Sequence, residues 1–160
     1  MTDVRHAPDY ETVIRINGAP DAVYDAITTA SGLTGWWTRT AGHGETDGEL
    51  RFFMNTPEPL VIHVDVATRP WSVQWTVTDC PFLTDWVGTR PVFSITSVGD
   101  NESEVQFRHV GLTSELECID TCSRSWDHFM LSLRDYIETG VGSPMGSDAD
   151  IARREAQRAR

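Results

Sequence analysis

Lysine is missing from the sequence, and all 13 of its basic residues are arginine. A chain without lysine cannot form a Schiff base on a lysine side chain, and it cannot carry the lysine of a Walker phosphate-binding loop. Cysteine is scarce, and the odd count of three predicts free thiols and argues against a disulfide framework. These absences exclude lysine-based covalent catalysis and P-loop nucleotide hydrolysis.

Positive charge is also in short supply, since the formal net charge is −11 at pH 7. Such a chain repels the phosphates of nucleic acids and anionic membrane surfaces, so we expect neither as a partner. No apolar run is long enough to span a membrane. Residues 1–6 lack the charged region and the apolar stretch of a secretory signal, and we therefore predict a cytoplasmic protein.

Length and composition fit one globular domain of 160 residues, of which 39% are hydrophobic and 23% are charged. A chain of this length buries about two-thirds of the surface that its unfolded form exposes, which allows a core with a modest internal cavity. We predict a single domain over residues 1–143. The polar segment that follows, 144–160, is predicted to be a frayed helix or disordered.

The hydrophobic pattern predicts an α+β fold. Alternation over residues 10–16 predicts a first strand, Pro20 then suits the start of a short helix, and residues 33–37 predict a second helical turn or a bend. Alternating segments between residues 50 and 110 predict antiparallel strands in a meander. A long last helix, ended by Gly140, is predicted from an apolar stripe at 3.6-residue spacing. The stripe consists of Ile119, Cys122, Trp126, Phe129, Met130, Leu133 and Ile137.

A metal site is one interpretation of the cysteines. Cys118 and Cys122 are four residues apart on the predicted helix, and His109 is near in sequence. Zinc takes at least three protein ligands even in catalytic sites, and no second paired motif accompanies these residues. We therefore predict no metal and no cofactor, and we interpret Cys122 as a small core residue.

His109 is the single candidate for acid–base chemistry. It shares its strand face with Val105 and Phe107, so its side chain is predicted to point inward. An inward histidine is more often a satisfied core residue than a catalyst. We therefore assign no catalytic residue and keep His109 as a candidate only.

Six tryptophans are a large number for this length. Large aromatic side chains either fill a core or line a binding pocket. The two interpretations are compatible, because a curved sheet closed by one helix often leaves a cavity lined by such residues.

The order of the predicted elements, with Gly-Leu-Thr-Gly-Trp-Trp-Thr at 32–38, resembles the START-like superfamily, also called SRPBCC or helix-grip. Further motifs resemble the branch named after the C-terminal domain of the Hsp90 ATPase activator. Pro91 departs from that pattern, because relatives usually carry an apolar residue there, and it predicts an edge position or a bulge. The matching segments are 87–90 (VGTR), 107–112 (FRHVGL), 117–122 (ECIDTC), 126–130 (WDHFM), 132–133 (SL) and 139–140 (TG).

This resemblance implies a curved antiparallel sheet wrapped around a long C-terminal helix, with two short helices after the first strand. It also implies a deep apolar cavity between sheet and helix. Relatives use that cavity for lipids, hormones and polyketides, and a minority are cyclases or hydrolases. The branch name suggests a chaperone role as well, which we rank last because the 160 residues hold one domain and not the additional chaperone-binding domain of eukaryotic activators.

We predict a carrier or sensor, monomeric or homodimeric, that binds a small, largely apolar molecule in this cavity. The alternatives are a cyclase or hydrolase acting on a polyketide-like or aromatic substrate, and a co-chaperone-like interaction protein. His109 is the predicted polar contact that orients the ligand. Strand and helix periodicity select the predicted lining residues: Trp37, Phe52, Val64, Trp75, Phe93, Phe107, His109, Cys122, Trp126 and Met130.

Overall fold

The computed structural model describes residues 8–158. Residues 1–7, which include the segment predicted not to be a secretory signal, lie outside the described residues. So do residues 159–160, the end of the predicted polar tail. The strands are β1 (Tyr10–Ile16), β2 (Arg39–Gly42), β3 (Glu49–Phe53), β4 (Leu60–Thr68), β5 (Ser72–Asp79), β6 (Arg90–Gly99) and β7 (Glu102–Val110). They form one curved antiparallel sheet in the order β1-β7-β6-β5-β4-β3-β2, so the first strand pairs with the last.

In the described part of the chain, four α-helices accompany this sheet: α1 (Pro20–Thr28), α2 (Ala30–Trp36), α3 (Ile119–Thr139) and α4 (Asp148–Arg158). A 3₁₀ helix spans Thr84–Trp86. The short helices α1 and α2 follow β1, and the long α3 follows the last strand. The predicted α+β helix-grip architecture is therefore confirmed. Within residues 8–158, no helix is both long and apolar enough to cross a membrane.

The sheet is specified by the alternation of its side chains. In β7, Val105, Phe107 and His109 are buried while the residues between them are not. The register with β1 places Tyr10 opposite His109 and Ile14 opposite Val105. Because a shift of one residue would expose this inward set, the buried face fixes the register.

Pro91 lies inside the sheet. It is buried, and it pairs with His109 of β7 on one side. On the other side, the regular pairing of β6 with β5 ends at Val92, and the next bond runs from the Val77 N–H to the Thr89 carbonyl. An edge position is therefore ruled out, and an interruption of the ladder accommodates a residue that has no N–H to donate.

The helix α3 packs its apolar stripe against the sheet. Its buried residues include Cys122, Trp126, Phe129 and Leu133, as the 3.6-residue spacing predicts. Gly140 ends it in the left-handed conformation with φ +86°, where a side chain would be strained. The predicted stripe and stop are confirmed.

Hydrogen bonds tie α2, α3 and the chain after α3 together. The Trp36 indole donates to the Ala26 carbonyl at 2.8 Å, and the Ser132 hydroxyl donates to the Trp36 carbonyl at 2.8 Å. The same Ser132 oxygen accepts the Ser143 N–H at 2.6 Å. A side chain at Gly142 would lie 2.6 Å from the carbonyl oxygen of Gly35, so only glycine allows this approach.

Buried charge holds α4. Asp150 is 0% exposed, and its carboxylate accepts from the Gly146 N–H at 3.0 Å and from the Arg153 guanidinium at 2.8 Å. Arg154 approaches the same carboxylate at 2.9 Å. Arg153 also lies over the Phe129 ring of α3 at 5.6 Å. The domain boundary after residue 143 stays a prediction, while the chain beyond it is helical over Asp148–Arg158.

We expect the substitution Asp150→Asn to weaken the packing of α4 by about 2 kcal/mol at neutral pH, because it leaves two guanidinium groups without a counter-charge. Burial by itself would raise the pKa of Asp150, but the Gly146 N–H and the two arginines outweigh it and hold the pKa below 3.8. The stabilisation is therefore present above that pH and is lost as the pH falls through the lower folded-state pKa.

Hydrogen exchange of the α4 amides at about pH 7 and about pH 3 measures this effect. The matched control is Asp148→Asn, which removes an exposed acid from the same helix. Equal protection in the two variants at neutral pH would contradict the proposed role of Asp150.

Candidate functional site

Six aromatic rings fill the space between the sheet and α3. Each ring contacts the next, with centroid distances between 4.4 and 5.6 Å, and the last contacts the first. Tilted and edge-on contacts are among the arrangements that aromatic pairs prefer. We call this set the aromatic cycle, and its members in order are Trp37, Phe52, Trp75, Phe93, Phe107 and Trp126.

The aromatic cycle contains six of the ten residues predicted to line a cavity. The other four, Val64, His109, Cys122 and Met130, are also buried. The alternation therefore identified the inward face of each element. The six rings of the aromatic cycle, however, contact one another. That any of the ten residues contacts a ligand therefore stays a prediction.

His109 lies beside the aromatic cycle, with both ring nitrogens hydrogen-bonded. Its Nδ1 accepts the Trp126 indole N–H at 3.0 Å, and an indole nitrogen can only donate. The proton of the imidazole is therefore on Nε2, which donates to the Thr89 hydroxyl at 2.8 Å. Thr89 in turn donates to the Trp86 carbonyl at 2.6 Å. The chain of donors and acceptors is complete without a ligand.

Burial lowers the pKa of His109 to about 3, and Asp9 opposes this shift only in part. The imidazole is therefore neutral at physiological pH. A catalytic acid or base works best with a pKa near the operating pH. The geometry and the charge state both favour the interpretation of His109 as a satisfied core residue.

A pocket of about 160 Å³ lies next to the aromatic cycle, at the N-terminal half of α3. Its walls come from α3, from the loop 80–86, which is part of the connection between β5 and β6, and from three single residues: Trp37 after α2, Met54 after β3 and Met145 before α4. None of the lining residues is charged. They are Trp37, Met54, Phe82, Leu83, Trp86, Thr121, Cys122, Ser125, Trp126, Phe129 and Met145.

Three predicted residues, Trp37, Cys122 and Trp126, line this pocket. The remaining predicted residues lie outside the pocket wall. Sequence reasoning missed the wall residues that belong to loops, such as Phe82 and Trp86, because loops have no periodicity from which a facing direction can be predicted. The high tryptophan count was the one signal that pointed to Trp86.

Trp86 contributes its ring to the pocket wall, while its indole nitrogen is buried. Its ring is 7% exposed, stacks at 6.1 Å and 8° on Trp126, and meets His109 edge-on at 4.6 Å. Its Nε1–H has no hydrogen-bond partner among the described residues. Trp75 in the aromatic cycle has a similarly unpaired Nε1–H. Buried donors are almost always paired, so each of these groups needs a physical explanation.

All three cysteines are free thiols, of which Cys80 and Cys122 are buried and Cys118 is half-buried. Desolvation raises the pKa of Cys80 to about 11, and burial also raises that of Cys122. Both are therefore protonated at neutral pH and poor nucleophiles. Over residues 8–158, no three His, Cys, Asp or Glu side chains come together as metal ligands.

We expect the His109 imidazole to remain neutral from about pH 8 down to about pH 4, since its folded-state pKa is about 3. The unfolded chain takes up this proton near pH 6.5, so the histidine favours unfolding as the pH falls from 6.5 towards 3. NMR of the ring nitrogens measures both the titration and the tautomer. A midpoint near 6.5, or a proton on Nδ1, would contradict the hydrogen-bond assignment.

No family model matches the chain, and no curated protein matches its sequence. Solved structures do match. An Aha1 dimer from Colwellia psychrerythraea is similar with 28% identity and a TM-score of 0.73, over 84% of this chain and 98% of that one. An Hsp90 activator from Plasmodium falciparum shares 16% identity over 79% of this chain and 93% of that chain, with a TM-score of 0.62.

The protein CalU16 from Micromonospora echinospora is similar over 93% of this chain and 85% of that one, with 16% identity and a TM-score of 0.66. At this identity, the likeness to the Plasmodium and Micromonospora proteins shows the fold alone. The similarity to the Colwellia protein spans almost the whole of that chain and agrees with the motifs in the sequence. The chain therefore has an Aha1-like fold of the START-like (SRPBCC) type.

Proposed function

We propose that the protein is a carrier or sensor that binds a small, uncharged and largely apolar molecule in the pocket beside the aromatic cycle. The observation that carries this proposal is the composition of the wall, which combines aromatic and sulfur-containing side chains with two hydroxyls and no charged residue. Pockets for small molecules typically have this composition. The proposal includes a cytoplasmic location and no required cofactor.

The volume limits the size of the ligand. Most ligand pockets are about 300–1,000 Å³, whereas this one is about 160 Å³. An apolar cavity of roughly 150 Å³ holds one benzene molecule. A molecule with a single ring therefore fits the pocket as it stands, and a larger ligand would require movement of the loop 80–86, in which Phe82 is 41% exposed.

The enzymatic alternative has less support. The wall carries the hydroxyls of Thr121 and Ser125 but no histidine or carboxylate, and the Cys122 thiol is protonated. His109 is not part of the pocket wall, and both of its ring nitrogens are hydrogen-bonded to other side chains. A hydrolase or cyclase needs an activated nucleophile or a positioned acid and base.

An interaction role draws on the named relatives. The Colwellia protein is described as a dimer of Aha1, and the Plasmodium protein as an Hsp90 activator. The first description supports a homodimer for this chain as one of the two assembly states that we predict.

Native mass spectrometry of protein purified from its own host tests the proposal first. We expect a stoichiometric small molecule that is recovered unchanged after denaturing extraction. Recovery of a chemically altered molecule would support the enzymatic alternative in place of a carrier.

Calorimetric titration with toluene tests the pocket itself. We expect the substitution Ser125→Phe, which adds a ring to the pocket wall, to weaken toluene binding at least about tenfold, because the added volume occupies the ligand space. The matched control is Ser123→Phe, two residues earlier on α3 and outside the wall. If both variants bind toluene as the unmodified protein does, the proposed pocket is wrong.

A further inference from the structure

The strand β1 lies at an edge of the sheet, and among the described residues β7 is the one strand that pairs with it. Its side chains alternate in exposure, and those of Glu11, Val13 and Arg15 face the solvent. Val13 is apolar and yet 55% exposed. An edge strand presents unpaired backbone N–H and C=O groups that can bond to a further strand, so natural proteins usually block it. This edge is therefore a candidate interaction surface.

The free backbone groups of this edge belong to the same residues as the exposed side chains. In an antiparallel strand, successive residues direct their N–H and C=O groups alternately to the two sides. The Tyr10 N–H bonds on the β7 side, to the Leu112 carbonyl at 2.8 Å. The Asn17 N–H donates instead to the Glu138 carboxylate of α3, also at 2.8 Å. The odd-numbered residues of β1 therefore direct their N–H and C=O groups to the open edge.

The residues on this edge are complementary to a second copy of themselves. An antiparallel pairing about a two-fold axis through Val13 places Glu11 opposite Arg15 of the second copy, and Arg15 opposite its Glu11. The two valines then face each other between these charge pairs and are removed from water. Opposite charges directly across two strands stabilise a sheet. A two-fold interface needs one self-complementary patch, and the edge of β1 has this property.

The charges around β1 favour contact at this edge. The net charge of −11 at pH 7 makes two copies of the chain repel each other in general. The strand itself is neutral, because Glu11 and Arg15 are the charged residues of Tyr10–Ile16. The Arg15 guanidinium is 3.7 Å from the Glu104 carboxylate and 3.8 Å from that of Glu102, and 63% of the Arg15 side chain is exposed. It therefore remains open to a carboxylate of a second copy.

We infer that two copies of this chain associate through β1, paired antiparallel about Val13, so that their sheets join into one. Addition of a strand to a free sheet edge is a common mode of recognition, in which backbone hydrogen bonds supply affinity and side chains supply specificity. The order of the charges along β1 selects a second copy over an unrelated strand. This inference concerns an interface and is independent of the proposed function.

Sedimentation equilibrium with charge reversal tests this interface. We expect the unmodified protein to dimerise as its concentration rises. Glu11→Arg or Arg15→Glu alone is expected to weaken the dimer at least about tenfold, because like charges then oppose each other at two symmetric positions. The double variant restores opposite charges, so we expect it to recover the affinity of the unmodified protein. The matched control is Glu58→Arg, the same change in the exposed chain between β3 and β4, which we expect to leave the dimer intact.

Hydrogen exchange on the unmodified protein locates the contact without any variant. We expect the amides of Glu11, Val13 and Arg15 to gain protection as the concentration rises. Those of Thr12 and Ile14, which are directed to β7, are expected not to change. General charge repulsion gives a different result, since Glu11→Arg lowers the net negative charge and would then strengthen association. A monomer at every concentration, a double variant that does not recover, or a dimer without this protection pattern would overturn the inference.

Discussion

The indole of Trp126 is the contact on which the site depends, because it joins the long helix to the sheet in two ways. Its ring packs against Phe107 of β7 and Trp37 after α2, at 4.4 and 5.0 Å. Its N–H donates to Nδ1 of His109, and Nε2 of His109 donates to the Thr89 hydroxyl. One side chain therefore supplies both apolar packing and a directional hydrogen bond. The hydrogen bond fixes the rotation of α3 relative to β7.

This hydrogen-bond chain also positions the pocket wall. Thr89 accepts from His109 and donates to the Trp86 carbonyl, so the end of the loop 80–86 is tied to β7 through a buried polar path. The Trp86 ring then stacks on Trp126 at the far end of the same path. The neutrality of His109 is a requirement of this arrangement, because a protonated Nδ1 could not accept from Trp126. His109, which the sequence leaves only as a candidate for acid–base chemistry, thus supports the loop 80–86 through its hydrogen bonds.

Periodicity made most of the fold predictable. The 3.6-residue stripe of α3 and the alternation of the strands follow from which faces are buried, and burial of those faces dominates the folding free energy. The site was less predictable. The wall residues Phe82 and Met145 lie outside strands and helices, and Trp86 ends a three-residue 3₁₀ helix that is too short to show a periodic pattern. Their directions depend on contacts between segments distant in sequence. The hydrogen-bond partners of His109 could not be predicted from the sequence either, because Thr89 and Trp126 lie in different segments of the chain.

The closed aromatic cycle explains why the pocket is small. The START-like resemblance implied a deep cavity between sheet and helix, but rings from four strands and two other segments meet in that space and pack against one another. What remains open is the end of the space near the start of α3, where the loop 80–86 replaces a strand as the wall. Protein interiors pack to the density of organic crystals, so the packed rings have little room to move. We therefore expect that a change in pocket size would come from movement of the loop 80–86. Selectivity for ligand size would then depend on this one loop, while the sheet and α3 stay fixed.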